Sequence, residues 1–137
     1  MADALALETL PLDSSHDVVR ARQRVRDIAV EMGYSLVDQT KLVTAASELA
    51  RNTIDHGRGG DMTVERVASP SATGIRLVFT DHGPGIADVE LALRDGYTTG
   101  GGLGMGLGGA RRLVSEMAID STPGAGTRIT VTKWKRA

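Results

Sequence analysis

The chain has 137 residues, a length typical of one domain with its own hydrophobic core. It contains no cysteine, which excludes disulfides, thiolate metal sites and a cysteine nucleophile, and which suits a reducing cytoplasm. Sixteen Lys and Arg residues balance seventeen Asp and Glu residues, and no apolar run approaches the roughly 20 residues of a membrane span. We therefore expect one cytoplasmic domain, residues 1–137, that binds neither nucleic acid nor membrane.

The first half of the chain predicts a strand, two helices and a hairpin. An apolar strand around residues 5–10 precedes a helix that begins after Ser14 or Ser15 and ends at Gly33. A second helix, with apolar residues at helical spacing, runs from Ser35 to Gly57. Strands over residues 63–68 and 75–80 are joined by a Ser-Pro-Ser turn.

The second half predicts a short helix over residues 88–94, a helix over residues 110–117, and a closing hairpin of residues 119–121 and 128–134. The order β-α-α-β-β-α-α-β-β favours an α/β two-layer sandwich. We expect a mixed, mostly antiparallel sheet with the helices on one face.

Glycine is concentrated in one segment, since ten of the seventeen glycines lie within residues 83–109. A P-loop is excluded because none of the three lysines follows a glycine. Residues 104–109 fit the G-x-G-x-x-G motif of dinucleotide-binding folds. That fold needs a strand directly before the motif, and the preceding Thr- and Gly-rich stretch does not predict one, which argues against it. The segment indicates either a glycine-rich lid whose backbone amides approach phosphate oxygens, or a loop without a ligand.

The second predicted helix carries a polar stripe at i, i+4 spacing: Thr44, Glu48, Asn52 and His56. An amide oxygen such as that of Asn52 can ligate Mg²⁺ beside phosphates, which leaves the carboxylate of Glu48 to accept a proton. For the stripe taken alone, an exposed helix face held by an Arg51–Asp55 pair is the simpler explanation.

Asp81 stands where a predicted strand ends and a Gly-Pro-Gly loop begins. Since a carboxylate only accepts hydrogen bonds, it would favour the 6-amino group of adenine over the 6-oxo group of guanine. The alternative is a purely structural Asx turn.

These three elements, in this order, resemble the GHKL ATPase superfamily, whose members share the Bergerat ATP-binding fold. The asparagine box is residues 48–56, the glycine boxes are residues 81–86 and 102–107, and Gly126-Thr127 matches the late Gly-Thr pair. Within the superfamily the chain is similar to the RsbT-type switch serine kinases of the bacterial stressosome. That likeness rests on Asp38-Gln39, residues 47–52, residues 95–104 and the terminal Thr-Lys-Trp.

The resemblance implies a role for each matching residue. Glu48 would be the general base, Asn52 would hold Mg²⁺, and Asp81 would bind the adenine amino group with Thr127 assisting through water. Two glycines of the first box would let the backbone approach the base, and Thr98, Thr99 and residues 102–107 would wrap the triphosphate. The residues implied to contact ATP are Asn52, Asp81, Gly83, Gly85, Ile86, Thr98, Thr99, Gly102, Leu103, Gly104, Met105, Gly106, Leu107 and Thr127.

The implied function is an ATP-dependent serine/threonine kinase that phosphorylates a STAS-domain partner and then activates a downstream phosphatase or other output protein. One alternative is an anti-sigma factor kinase of the RsbW or SpoIIAB type, which sequesters a sigma factor. Another is a nucleotide-sensing module without catalysis, against which Glu48 argues. A homodimer formed through the apolar first strand is also an open alternative.

Overall fold

A computed structural model describes residues 3–86, 88–93 and 106–136. Its elements in chain order are β1 (Asp3–Leu12), α1 (Ser15–Glu31), α2 (Leu36–Asp55), β2 (Gly60–Ala68), β3 (Thr73–Asp81), α3 (Val89–Ala92), α4 (Gly106–Arg112), β4 (Glu116–Thr122) and β5 (Gly126–Trp134). Among these elements, no helix combines the length and apolar character needed to cross a bilayer.

The five strands form one sheet in the order β1-β2-β3-β5-β4, and every described pairing is antiparallel. The two-layer α/β sandwich is confirmed, but the expected mixed sheet is a fully antiparallel one in the described residues. The reason is the closing hairpin, which inserts β5 between β3 and β4. Strands β3 and β4 run in the same direction, and they would form a parallel pair only if they were neighbours.

One face of the sheet packs on the helices and holds the core. Along β3 the alternate residues Ile75, Leu77 and Phe79 are buried, while the residues between them are half-buried on the opposite face. From the other layer, α2 contributes Leu42 and Leu49, both fully buried. Burying each such side chain contributes roughly 1.5–3 kcal/mol, so this shared core fixes α2 against the middle of the sheet.

The end of β5 is held to the first turn of α2. Asp38 is 2% exposed, and its carboxylate accepts hydrogen bonds of 2.8 Å from both Nε and Nη2 of Arg136. These bonds, with Lys133 Nζ at 3.7 Å, keep the pKa of Asp38 below its usual range despite burial. Beside them, Tyr34 Oη donates to the Lys133 carbonyl, and burial raises the pKa of Tyr34 to about 12.

The helix expected over residues 110–117 is displaced, because α4 spans Gly106–Arg112 and residue 116 already begins β4. Leu107 and Ala110 are buried in the core, and this tertiary packing outweighs the low helix propensity of the glycines around them. Farther along, Met117 pairs with Val131 and alternates with exposed neighbours, as a strand requires.

Candidate active site

Asp81, the last residue of β3, is buried and bonded to backbone on two sides. Its Oδ1 accepts the amide N–H of Gly83 at 2.9 Å and that of Thr127 at 3.2 Å. The first bond is an Asx turn, so the structural interpretation of Asp81 holds as far as Oδ1 is concerned. Both hydrogen bonds that Asp81 accepts from described residues reach the same oxygen, and Oδ2 thus has lone pairs to offer a ligand.

Gly57, just after α2, lies against the Asp81 side chain. A methyl group on Gly57 would stand 2.3 Å from Cγ and 2.4 Å from Oδ2 of Asp81, and one on Gly83 would stand 2.8 Å from the Gly57 Cα. Only glycine permits these approaches. The sequence predicted Gly57 as a helix end only, because its contact with Asp81 joins segments 24 residues apart.

The late Gly-Thr pair lies beside Asp81 in the neighbouring strand, where Thr127 is its register partner. Gly126 has φ +105°, and a methyl group there would stand 2.2 Å from the Asp81 carbonyl oxygen, so the position requires glycine. Thr127 is buried, and its Oγ1 lies 2.9 Å from Oγ of Ser121 in β4. Sequence reasoning missed Ser121; its position opposite Thr127 in the predicted hairpin is the signal that could have found it.

The first glycine loop, residues 82–86, lies between β3 and the β4–β5 turn. Ile86 donates its amide N–H to Ser121 Oγ at 2.7 Å, and the Pro84 carbonyl accepts from the Gly124 amide at 2.7 Å. Gly85 approaches the Thr122 carbonyl oxygen, which a methyl group would reach at 2.5 Å. The loop is therefore held at both ends, close to Asp81.

Glu48 and Asn52 lie one turn apart on α2, and both are half-buried. Within the described residues, neither side chain forms a hydrogen bond or ion pair with protein, so a carboxylate and an amide oxygen are both available there. The described part of the chain also lacks a cluster of three metal-ligating side chains. An amide oxygen such as that of Asn52 suits Mg²⁺, which is usually held by one or two protein ligands together with substrate phosphates.

The second glycine box meets the described structure at its end. Gly106 begins α4 with φ +70°, and Leu107 is buried in the core, so only its backbone is available to a triphosphate. The other predicted phosphate contacts lie outside the described residues: Thr98, Thr99, Gly102, Leu103, Gly104 and Met105.

The fold and this arrangement define an ATPase-type domain, and the chain belongs to the family of histidine kinase-, DNA gyrase B- and HSP90-like ATPases, which matches residues 37–137. This membership confirms the resemblance seen in the sequence boxes.

Two individual relatives show which proteins of this family the chain resembles. The chain is 43% identical over 120 residues to the serine/threonine-protein kinase RsbT of Bacillus subtilis, covering 88% of this chain and 90% of RsbT. It is 30% identical over 129 residues to an anti-sigma F factor of Thermoanaerobacter, covering 90% and 89% of the two chains.

A solved structure of the RsbU and RsbW domains of a Mycobacterium tuberculosis protein superposes with a TM-score of 0.64 at 22% identity. The superposition covers 98% of our chain but only 33% of the Mycobacterium tuberculosis chain, which is longer. This likeness supports the fold alone.

Proposed function

We propose that this chain is an ATP-dependent serine/threonine protein kinase that acts in the cytoplasm on a STAS-domain partner. The observation that carries the proposal is the carboxylate of Asp81, whose Oδ1 is occupied by two backbone amides while Oδ2 lies against Gly57 and accepts no hydrogen bond from a described residue. An acceptor fixed in this way selects a ligand that presents a donor, as the amino group of adenine does.

The adenine would lie between this carboxylate and the loop that follows it. Thr127 belongs to the same site because its backbone N–H donates a hydrogen bond to Asp81. Gly83 and Gly85 keep the loop backbone close to the base. Ile86, half-buried beside the core, closes the far end of the loop. The triphosphate would extend toward the second glycine box, which ends at Gly106 and Leu107.

Asn52 and Glu48 divide the chemistry of phosphoryl transfer between them. Asn52 would hold Mg²⁺, which when bound offsets the negative charge of the phosphates. Glu48, one turn away, would accept the proton of the substrate hydroxyl. The hydroxyl oxygen would attack the γ-phosphorus, and ADP would leave. Because phosphoryl transfer depends mainly on positioning, a rigid helix that carries both residues suits the task.

Identity to RsbT over most of both chains favours a switch kinase. In that function, phosphorylation of the STAS partner would release this chain to bind and activate a downstream phosphatase. The second candidate, an anti-sigma factor kinase that sequesters a sigma factor, is supported by the 30% identity to anti-sigma F factors.

The test is incubation of the chain with Mg-ATP and candidate STAS proteins, followed by mapping of phosphoserine and phosphothreonine. Transfer to one STAS protein, with ATP raising the unfolding temperature of the kinase, is the expected result. Binding of ATP without transfer to any candidate would instead indicate a nucleotide sensor. Stoichiometric capture of a sigma factor would favour the anti-sigma function over the switch kinase.

A further inference from the structure

Ser121 joins three parts of the site. It lies in β4 directly opposite Thr127, and its Oγ is 2.7 Å from the Ile86 amide nitrogen, 2.9 Å from Thr127 Oγ1 and 3.3 Å from the Gly126 carbonyl oxygen. The resemblance assigns no role to Ser121. One hydroxyl thus connects the first glycine loop, β4 and the late Gly-Thr pair.

The hydrogen-bond inventory of Ser121 limits what Thr127 can do. A serine hydroxyl has one hydrogen and two acceptor sites, and the Ile86 N–H occupies one of those sites. If Ser121 donates to Thr127 Oγ1, the hydrogen of Thr127 is left to point at a ligand. If Ser121 donates to the Gly126 carbonyl instead, Thr127 donates its own hydrogen to Ser121 and presents only lone pairs to a ligand. The 2.9 Å contact between the two hydroxyls exists in both arrangements, and a ligand acceptor beside Thr127 selects the first, because only there does Thr127 have a hydrogen to donate.

A donor hydroxyl on Thr127 complements the acceptor on Asp81, because the two residues are register neighbours on one face of the sheet. Together they present an acceptor beside a donor. Adenine offers an amino donor beside a ring-nitrogen acceptor, whereas guanine offers the opposite order on the same edge. The orientation of one threonine hydroxyl therefore bears on which purine fits.

We propose that Ser121 is a positioning residue that orients the Thr127 hydroxyl, and so sets the preference for adenine over guanine nucleotides. The inference rests on the proposed function, in which Asp81 and Thr127 bind the base. Ser121 itself acts through its neighbours.

The test compares the dissociation constants of Mg-ATP and Mg-GTP for the wild type, Ser121→Ala, Ser121→Thr and Thr127→Val. Ser121→Ala should lower the ATP-over-GTP preference about tenfold, the order expected for one hydrogen bond. Ser121→Thr should restore it, since the hydroxyl returns. Ser115→Ala is the matched control, because Ser115 Oγ also accepts a backbone amide, that of Trp134, outside the site.

The double variant Ser121→Ala/Thr127→Val separates orientation from general destabilisation. If Ser121 acts through Thr127, the double variant loses no more preference than Thr127→Val alone. Three results would each overturn the inference. Ser121→Ala could weaken ATP and GTP binding equally, or it could leave the ATP-over-GTP preference unchanged. The third such result is a double variant whose loss of preference equals the sum of the two single losses. A wild type that binds neither nucleotide would overturn the proposed function, while one that binds both equally would overturn this inference alone.

Discussion

The side chain of Asp81 lies directly against the Cα of Gly57, so close that a methyl group there would stand 2.3 Å from Asp81 Cγ. This contact joins the end of α2 to the end of β3. As a result, the helix that carries Glu48 and Asn52 and the carboxylate proposed to read the base are held as one unit.

Asp81→Asn should separate the ligand role of Asp81 from its Asx turn. The amide oxygen can still accept from Gly83 and Thr127, while the NH₂ group that replaces Oδ2 meets the adenine amino group donor to donor. We expect the unfolding temperature to stay near that of the wild type and the affinity for ATP to fall by about tenfold or more. Calorimetric titration checks this, with the exposed Asp120→Asn as control; wild-type affinity in Asp81→Asn would refute the assignment.

Gly57→Ala should damage the site by overpacking. The added methyl group must displace the Asp81 carboxylate, which is buried, at a cost of about 1–3 kcal/mol in unfolding free energy. ATP binding should be lost at temperatures where the variant is still folded. Gly33→Ala is a matched control, since its φ of +82° strains alanine by about 1–2 kcal/mol far from Asp81. The two variants binding ATP equally well would contradict the proposed packing.

Local signals in the sequence predicted much of this structure. The Ser35 cap and the apolar stripe after it place α2 correctly, and Asp81 lies at the end of a strand as the sequence predicts. The fully antiparallel sheet and the bounds of α4 were missed because β5 insertion and burial of Leu107 are tertiary effects.

The same limit applies within the site. The Gly57 contact depends on packing between distant segments, which neither periodicity nor a motif encodes, whereas Ser121 could have been found only from the register of the closing hairpin. The Asx-turn and ligand interpretations of Asp81 looked like alternatives in the sequence. In the structure the Asx turn uses Oδ1 alone, so the two interpretations are compatible.

The ion pair between Asp38 and Arg136 makes the stability of the fold depend on pH in a defined direction. Hydrogen bonds from Arg136 lower the pKa of Asp38 in the folded state, so its contribution is fully present above the unfolded value of about 3.9 and is lost as pH falls through the folded value. Urea denaturation of the wild type and Asp38→Asn should show a stability difference of about 1–3 kcal/mol at pH 7 that shrinks below about pH 4. A stability difference that is independent of pH down to pH 3 would contradict this role of the Asp38–Arg136 pair.

Glu48→Gln most directly tests ATP-dependent phosphoryl transfer with Glu48 as the base. Transfer of labelled γ-phosphate to a STAS protein should fall by about 10²-fold or more, while the dissociation constant for Mg-ATP stays at the wild-type value. Asp55→Asn, an exposed carboxylate on the same helix, is the control and should transfer normally. Transfer by Glu48→Gln at the wild-type rate would contradict the account.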